Sequence, residues 1–225
     1  MIPAHTRVLT VMVIAAALYG SDTPAAAQRA RPDSVVYSSA SAIAKARADS
    51  ARYPYTTADV HFMSGMIAHH AQAIVMSELV PSRGATSLVR TLAERIINAQ
   101  QDEIVTMQTW LRNRQQPVPD ASAKGVKMVM DGIEHEMLMP GMLTGAQVTQ
   151  LERARGAEFD RLYLTFMIQH HRGATSMVNS MFGSYGAGQD ELVFKFASDV
   201  YVDQFTEIAR MEKMLAERAA EARAP

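Results

Sequence analysis

Asp59-Val-His-Phe-Met-Ser-Gly-Met-Ile-Ala-His69-His70 and Asp160-Arg-Leu-Tyr-Leu-Thr-Phe-Met-Ile-Gln-His170-His171 are two copies of one segment. The correspondence continues through Ala73/Ala174 and Met76/Met177. Farther along each copy, Gln100, Glu103, Ile104, Met107 and Leu111 recur as Gln204, Glu207, Ile208, Met211 and Leu215 with unchanged spacing. Within both copies the apolar residues return every three or four positions, the period of an α-helix. The expectation is an all-α fold with long helices near Ala58–Val80, Thr86–Arg112, Ala146–Phe182 and Asp190–Ala220. One helix hairpin leaves an apolar face uncovered, so two copies pack most simply on each other. That predicts a four-helix bundle built from two repeated helix hairpins, with repeats at about 58–112 and 146–220 inside a bundle spanning 56–222.

Chain breakers fall where those joints require them. Pro81 and Gly84 divide the first hairpin, Gly183 to Gly188 the second, and Pro117, Pro119, Pro140 and Gly141 bracket a Met-rich linker, 113–145. Thr144 with Gln147 has the capping-box pattern that opens a helix. Upstream, Arg7 precedes an apolar run from Val8 to Leu18 and small residues ending at Ala27, the form of a secretory signal peptide over 1–27. Residues 28–55 read as an N-terminal tether, with a short helix drawn around Ser41 to Arg52 and stopped by Pro54. A periplasmic or secreted protein follows, released near Ala27. The apolar run is shorter than the roughly 20 residues that span a bilayer, so no stable membrane span is expected.

A net charge of -1 without any Lys/Arg cluster leaves no surface for phosphates, which excludes nucleic acid as an expected partner. The chain has no cysteine, so its stability must come from packing, and it has 16 methionines, several close to histidines. A homo-oligomer stays open.

Stepping 100° per residue puts Phe62, Met66, His70, Ala73, Ile74 and Val80 on one face of the first helix, with His69 and Met76 at its edge. The third helix repeats the face with Tyr163, Met167, His170, His171, Ala174 and Met177. On the partner helices Glu103 and Glu207, with Gln100 and Gln204, share the inward stripe of Met107 and Met211. A carboxylate there needs a histidine, a cation or a metal, because burying it unpaired costs several kcal/mol. The candidate metal ligands are therefore His69, His70, His170, His171, Met66, Met167, Met76, Met177, Glu103, Glu207, Met107 and Met211. Thioether and imidazole together suit copper, and imidazole also suits zinc or iron. A single core histidine or a Met stripe is ordinary structure; the repeated adjacent pair, with a Glu on each partner helix, goes beyond what a core requires. In the linker, Met128, Met130, His135, Met137, Met139 and Met142 fit either a metal-acquisition site or an amphipathic helix laid over the bundle's end.

Three functions meet these residues. A metal-binding protein would sequester or pass on the ion. A ferritin-like metal oxidase would use the same His and Glu groups. A structural or interaction module would bury a metal-free His-Glu network that sets helix register. No nucleophile triad or phosphate loop supports another enzyme class, and catalysis is not needed to explain the residues.

Phe62-Met63, Met66-Ile67, His69-His70, Gln100, Glu103-Ile104, Met107 and Trp110-Leu111 carry a resemblance. So do Gly141-Met142-Leu143, Gly156 to Asp160, Met167-Ile168, His170-His171, Glu207-Ile208 and Met211. Together they resemble domain-of-unknown-function family 305, a ferritin-like family of exported bacterial proteins, over nearly all of Asp59 to Leu215. The resemblance implies an extracytoplasmic bundle, and copper binding and tolerance of the kind associated with some members. Di-iron bundles carry Glu-x-x-His on two helices, whereas Met66 and Met167 stand in the Glu positions here. Thioethers in place of hard oxygen ligands point away from di-iron oxidation and toward a softer metal.

Overall fold

Thr56 opens the first helix by accepting a hydrogen bond from the Asp59 backbone N–H while the Asp59 carboxylate accepts from the Thr56 backbone N–H, a complete capping box. From there the computed structural model describes residues 55–123, 125–130 and 133–221, together with positions 44 and 48. The signal-peptide reading and, apart from Tyr55 and helical positions 44 and 48, the tether and its short helix lie outside the described residues. Helix α1 spans Thr57–Glu78 and, after a 3₁₀ turn at Val80–Ser82, α2 spans Ser87–Asn113. Strands β1 (Val126–Met130) and β2 (Ile133–Met137) follow, then α3 (Gly145–Arg153), α4 (Gly156–Phe182) and α5 (Glu191–Glu221). The fold is all-α apart from that antiparallel strand pair, in which Val126 faces Met137 and Met130 faces Ile133.

Two differences from the sequence reading have physical causes. The linker is not an amphipathic helix: its described centre is the β-hairpin, with the turn signal Asp131-Gly132 between the strands. The helix expected over Ala146 to Phe182 is two helices, because Ala154 and Arg155 are extended. Gly156 then takes a positive φ of 55° and donates its N–H to the Arg83 carbonyl at 2.7 Å, a tertiary bond that a continuous helix would forbid. The Thr144–Gln147 capping box forms at the start of α3.

Helix α1 packs along α2, α4 packs along α5, and the hairpins meet through α1 against α4. Their buried side chains divide into two clusters. One holds Met66, Met107, Ala174 and Met177; the other holds Met167, Met211, Ala73 and Met76. Each residue therefore sits in one cluster and its repeat counterpart in the other. The repeated aspartates cross between hairpins in the same way: Asp59 accepts from the Gly188 N–H at 2.7 Å, in the α4–α5 loop. Asp160 accepts from the Thr86 N–H at 3.2 Å and hydroxyl at 2.9 Å, at the start of α2, and meets Arg218 at 2.8 Å. Both aspartates are fully buried, and neither role was read from the sequence although the match was visible.

Between the β-hairpin and α3, residues 139–143 lie across α1 and α4. Gln72 holds Leu143 at both ends, its amide nitrogen donating to the Leu143 carbonyl at 3.1 Å and its oxygen accepting from the Leu143 N–H at 2.6 Å. Gln169 donates to the Gly141 carbonyl at 3.2 Å. Met139 and Met142 are buried in the first cluster, and Gly173 of α4 lets the Pro140 carbonyl approach so closely that any Cβ there would lie 1.9 Å from its oxygen.

Candidate metal centre

Adjacent residues on a helix point about 100° apart, so each His-His pair is split between two neighbours. His69 and His170 turn toward each other across the α1–α4 contact, with ring centroids 3.8 Å apart and planes at 38°. His70 and His171 turn toward their own partner helices. The His70 Nε2 lies 2.6 Å from Glu103 Oε2, a close contact off the axis of an aligned hydrogen bond. The His171 Nε2 lies 2.8 Å from Glu207 Oε2 in hydrogen-bond geometry. Each inward Glu thus meets the dyad of its own hairpin, as the stripe argument expects. All four histidines are fully buried, including His69, which was expected at the edge of the face.

Burial, reinforced by the neighbouring His70, lowers the His69 pKa to about 3 despite the bond to Pro140. Burial, then His69 and His171, push His170 well below the ordinary histidine range. Both imidazoles are neutral at pH 7, the form that ligates metals. The His69 Nε2–H donates to the Pro140 carbonyl at 2.9 Å, which leaves the Nδ1 lone pair free. Neither nitrogen of His170 has a partner in hydrogen-bond geometry, the His69 backbone being a polar neighbour, and the Nδ1 atoms of His69, His70 and His171 are buried without one. The Gln100 amide and the Gln204 Oε1 are also buried and unpartnered, in the same cleft lining as Glu103 and Glu207. Native interiors rarely leave such atoms unsatisfied, and here most of them belong to the four dyad histidines and to Gln100, Glu103 and Gln204.

The expected methionines are all buried: Met66, Met107 and Met167 and Met211 fully, Met76 and Met177 nearly so. They divide three and three between the two clusters. The Met177 methyl comes within 3.3 Å of where a Cβ on Gly65 would sit, next to Met66. Among the described residues no three His, Asp or Glu side chains converge on one point at metal-binding range. The arrangement offers imidazole lone pairs and thioethers, not an oxygen cage.

Pro140 was not foreseen as a partner of the dyad, since it acts through its backbone carbonyl, although the neighbouring Met139, Met142 and Leu143 are buried. Also unforeseen is a cleft of about 150 Å³ between α2 and α5, lined by Arg95, Gln100, Glu103, Asp203, Gln204 and Glu207 among others. Partial burial and the charges of Glu103 and Glu207 raise the Asp203 pKa.

No helix among the described residues is long and apolar enough to cross a membrane. A comparison with curated proteins finds no match. Among solved structures the chain is similar to a DUF305 protein of Streptomyces coelicolor described as a candidate secreted protein: 30% identity, 72% of this chain and 92% of that one, TM-score 0.58. A DUF305 fragment from Deinococcus radiodurans is 28% identical over 73% of this chain and 99% of its own, with a TM-score of 0.60. CopM in the Cu(II)-bound form is 26% identical over 71% of this chain and 96% of its own, with a TM-score of 0.55. CopM has also been solved with Cu(I) and with Ag. With the sequence model of the domain of unknown function DUF305 matching residues 59–215, this chain belongs to the DUF305 family.

Proposed function

We propose that this chain is an exported copper-binding protein that sequesters the ion or passes it on. The buried imidazole nitrogens without partners at the His69/His170 contact carry the reading, since a lone pair so placed is costly unless something occupies it. The burial of thioethers in both core clusters favours a soft ion, and the similarity to CopM, solved with Cu(I) and Cu(II), is in accord. The four long helices act as a duplicated, ferritin-like bundle in which each hairpin contributes one dyad and one Glu. A metal-free polar core would account for the two His-Glu pairs but leaves His170 with no partner in hydrogen-bond geometry at either nitrogen.

The deciding experiment is elemental analysis followed by Cu(I) and Cu(II) titration of the mature protein. Glu103→Gln and Glu207→Gln keep shape and remove the charge that orients His70 and His171; copper affinity should fall by roughly 10 to 100-fold. His70→Ala should weaken binding as well. Unchanged copper affinity in all three would leave the metal-free core standing.

Export rests on Arg7, the Val8 to Leu18 run and Ala25 to Ala27. Protein recovered from the periplasm or medium should begin near Gln28 on N-terminal sequencing, and an intact Met1 there would overturn the leader.

A further inference from the structure

We infer that the cleft between α2 and α5 is the port through which a hydrated cation reaches the histidines. The inference rests on the copper-binding reading and adds to it a route and an order of contacts. Glu103 and Glu207 line the cleft and also touch His70 and His171, so one carboxylate pair faces both the opening and the imidazoles. Their side chains are 20% and 15% exposed, while those of His70 and His171 are fully buried. Asp203 adds a third carboxylate to the lining, against a single cation, Arg95.

Acidic side chains alone would not make a path. Gln100 and Gln204 also line this cleft, are buried to 2% and 3% exposure, and have amide atoms with no hydrogen-bond partner. Unpaired carbonyl and carboxylate oxygens can replace the waters that a cation sheds on leaving solvent, before softer nitrogen and sulfur groups take it. The larger cavity of about 480 Å³, beside Gln72 and Leu143, lacks these features. Its lining holds one carboxylate, Glu152, and the Gln72 amide is fully engaged with Leu143.

A funnel of this kind sets rate more than affinity. Asp203→Asn removes lining charge without touching a histidine contact, and Ala99→Trp places a ring in the cleft from an exposed position. The mature protein is mixed with excess Cu(II) in a stopped-flow instrument, and association is followed by the imidazole–Cu(II) charge-transfer band. Both variants should associate about 10-fold more slowly or worse, and the wild-type rate should fall with added salt. Dissociation should slow in parallel in Ala99→Trp, so its equilibrium affinity stays within about 2-fold of wild type, which a merely misfolded variant would not do. Wild-type association rates in both variants would overturn the port while leaving copper binding intact. A wild-type protein that takes up no Cu(II) in either assay would overturn the copper-binding reading itself, and the port with it.

Discussion

Metal-free protein is expected to lose stability steeply as the pH falls from 6.5 toward 3. His69 has its pKa lowered to about 3 in the folded chain, and His170 is lowered with it, both through burial. In the unfolded chain each would titrate near 6.5. Between those values the unfolded state binds more protons, so the stability of the fold rises with pH. The contribution is complete above about 6.5 and is lost progressively as the pH falls toward the folded value, at up to about 1.4 kcal/mol per pH unit for each histidine. The groups facing the pair are His70 and His171, with Glu103 and Glu207 beyond them. Denaturant midpoints measured with chelator at pH 7.5, 6 and 5 should fall at each step, and His170→Gln should flatten the slope. A constant midpoint across that range would refute the buried neutral pair.

Among the described glycines, Gly173→Ala should be the most damaging substitution. Its Cβ would lie 1.9 Å from the Pro140 oxygen, 2.5 Å from the Pro140 carbonyl carbon and 2.6 Å from the Gly141 Cα, all backbone atoms with no rotamer to yield. Relief requires residues 139–143 to lift off α4. His69 then loses its acceptor, and Met139 and Met142 leave the core. Overpacking and the broken buried hydrogen bond together should cost about 3 kcal/mol or more. For a chain of this size that lowers Tm by roughly 10 °C. Gly145→Ala, where a Cβ meets nothing within 4 Å, is the matched control and should melt with the wild type. Coincident melting of all three proteins would show that the segment is not seated on Gly173.

What could be read from the sequence followed from periodicity and duplication. The ends of α1, α2 and α5 fall within about two residues of expectation, because the apolar period stops where Pro, Gly and Asn begin. The division at Ala154–Arg155 was hidden, since both are good helix formers and the cause is a tertiary bond from Gly156 to Arg83. The strand pair was hidden by the helix preference of its Met, Lys and Glu residues, although Asp131-Gly132 advertised a tight turn. At the centre the dyads and their Glu partners were legible from spacing. Which histidine faces the other hairpin was not, because a 100° step straddles both directions until α4 is in place. The Pro140 carbonyl was illegible for a different reason: a backbone acceptor leaves no mark in side-chain chemistry.

The crossed aspartate ties have a consequence for how such a chain can be divided. Asp59 draws on the α4–α5 loop and Asp160 on the start of α2, so neither of these ties can form within one hairpin. A half-length chain could make such a tie only by meeting a second copy in an isologous dimer, with the tie made reciprocally across a twofold axis. Joining the halves replaces that encounter with an intramolecular one at millimolar effective concentration. It also frees the two ties to differ: Asp160 has acquired Arg218 as a counter-ion, while Asp59 serves the Thr56 capping box instead. Circular permutation that opens the 114–125 connection while linking the natural ends should therefore preserve both ties, whereas cutting the chain there without a new link makes folding depend on the concentration of the pieces.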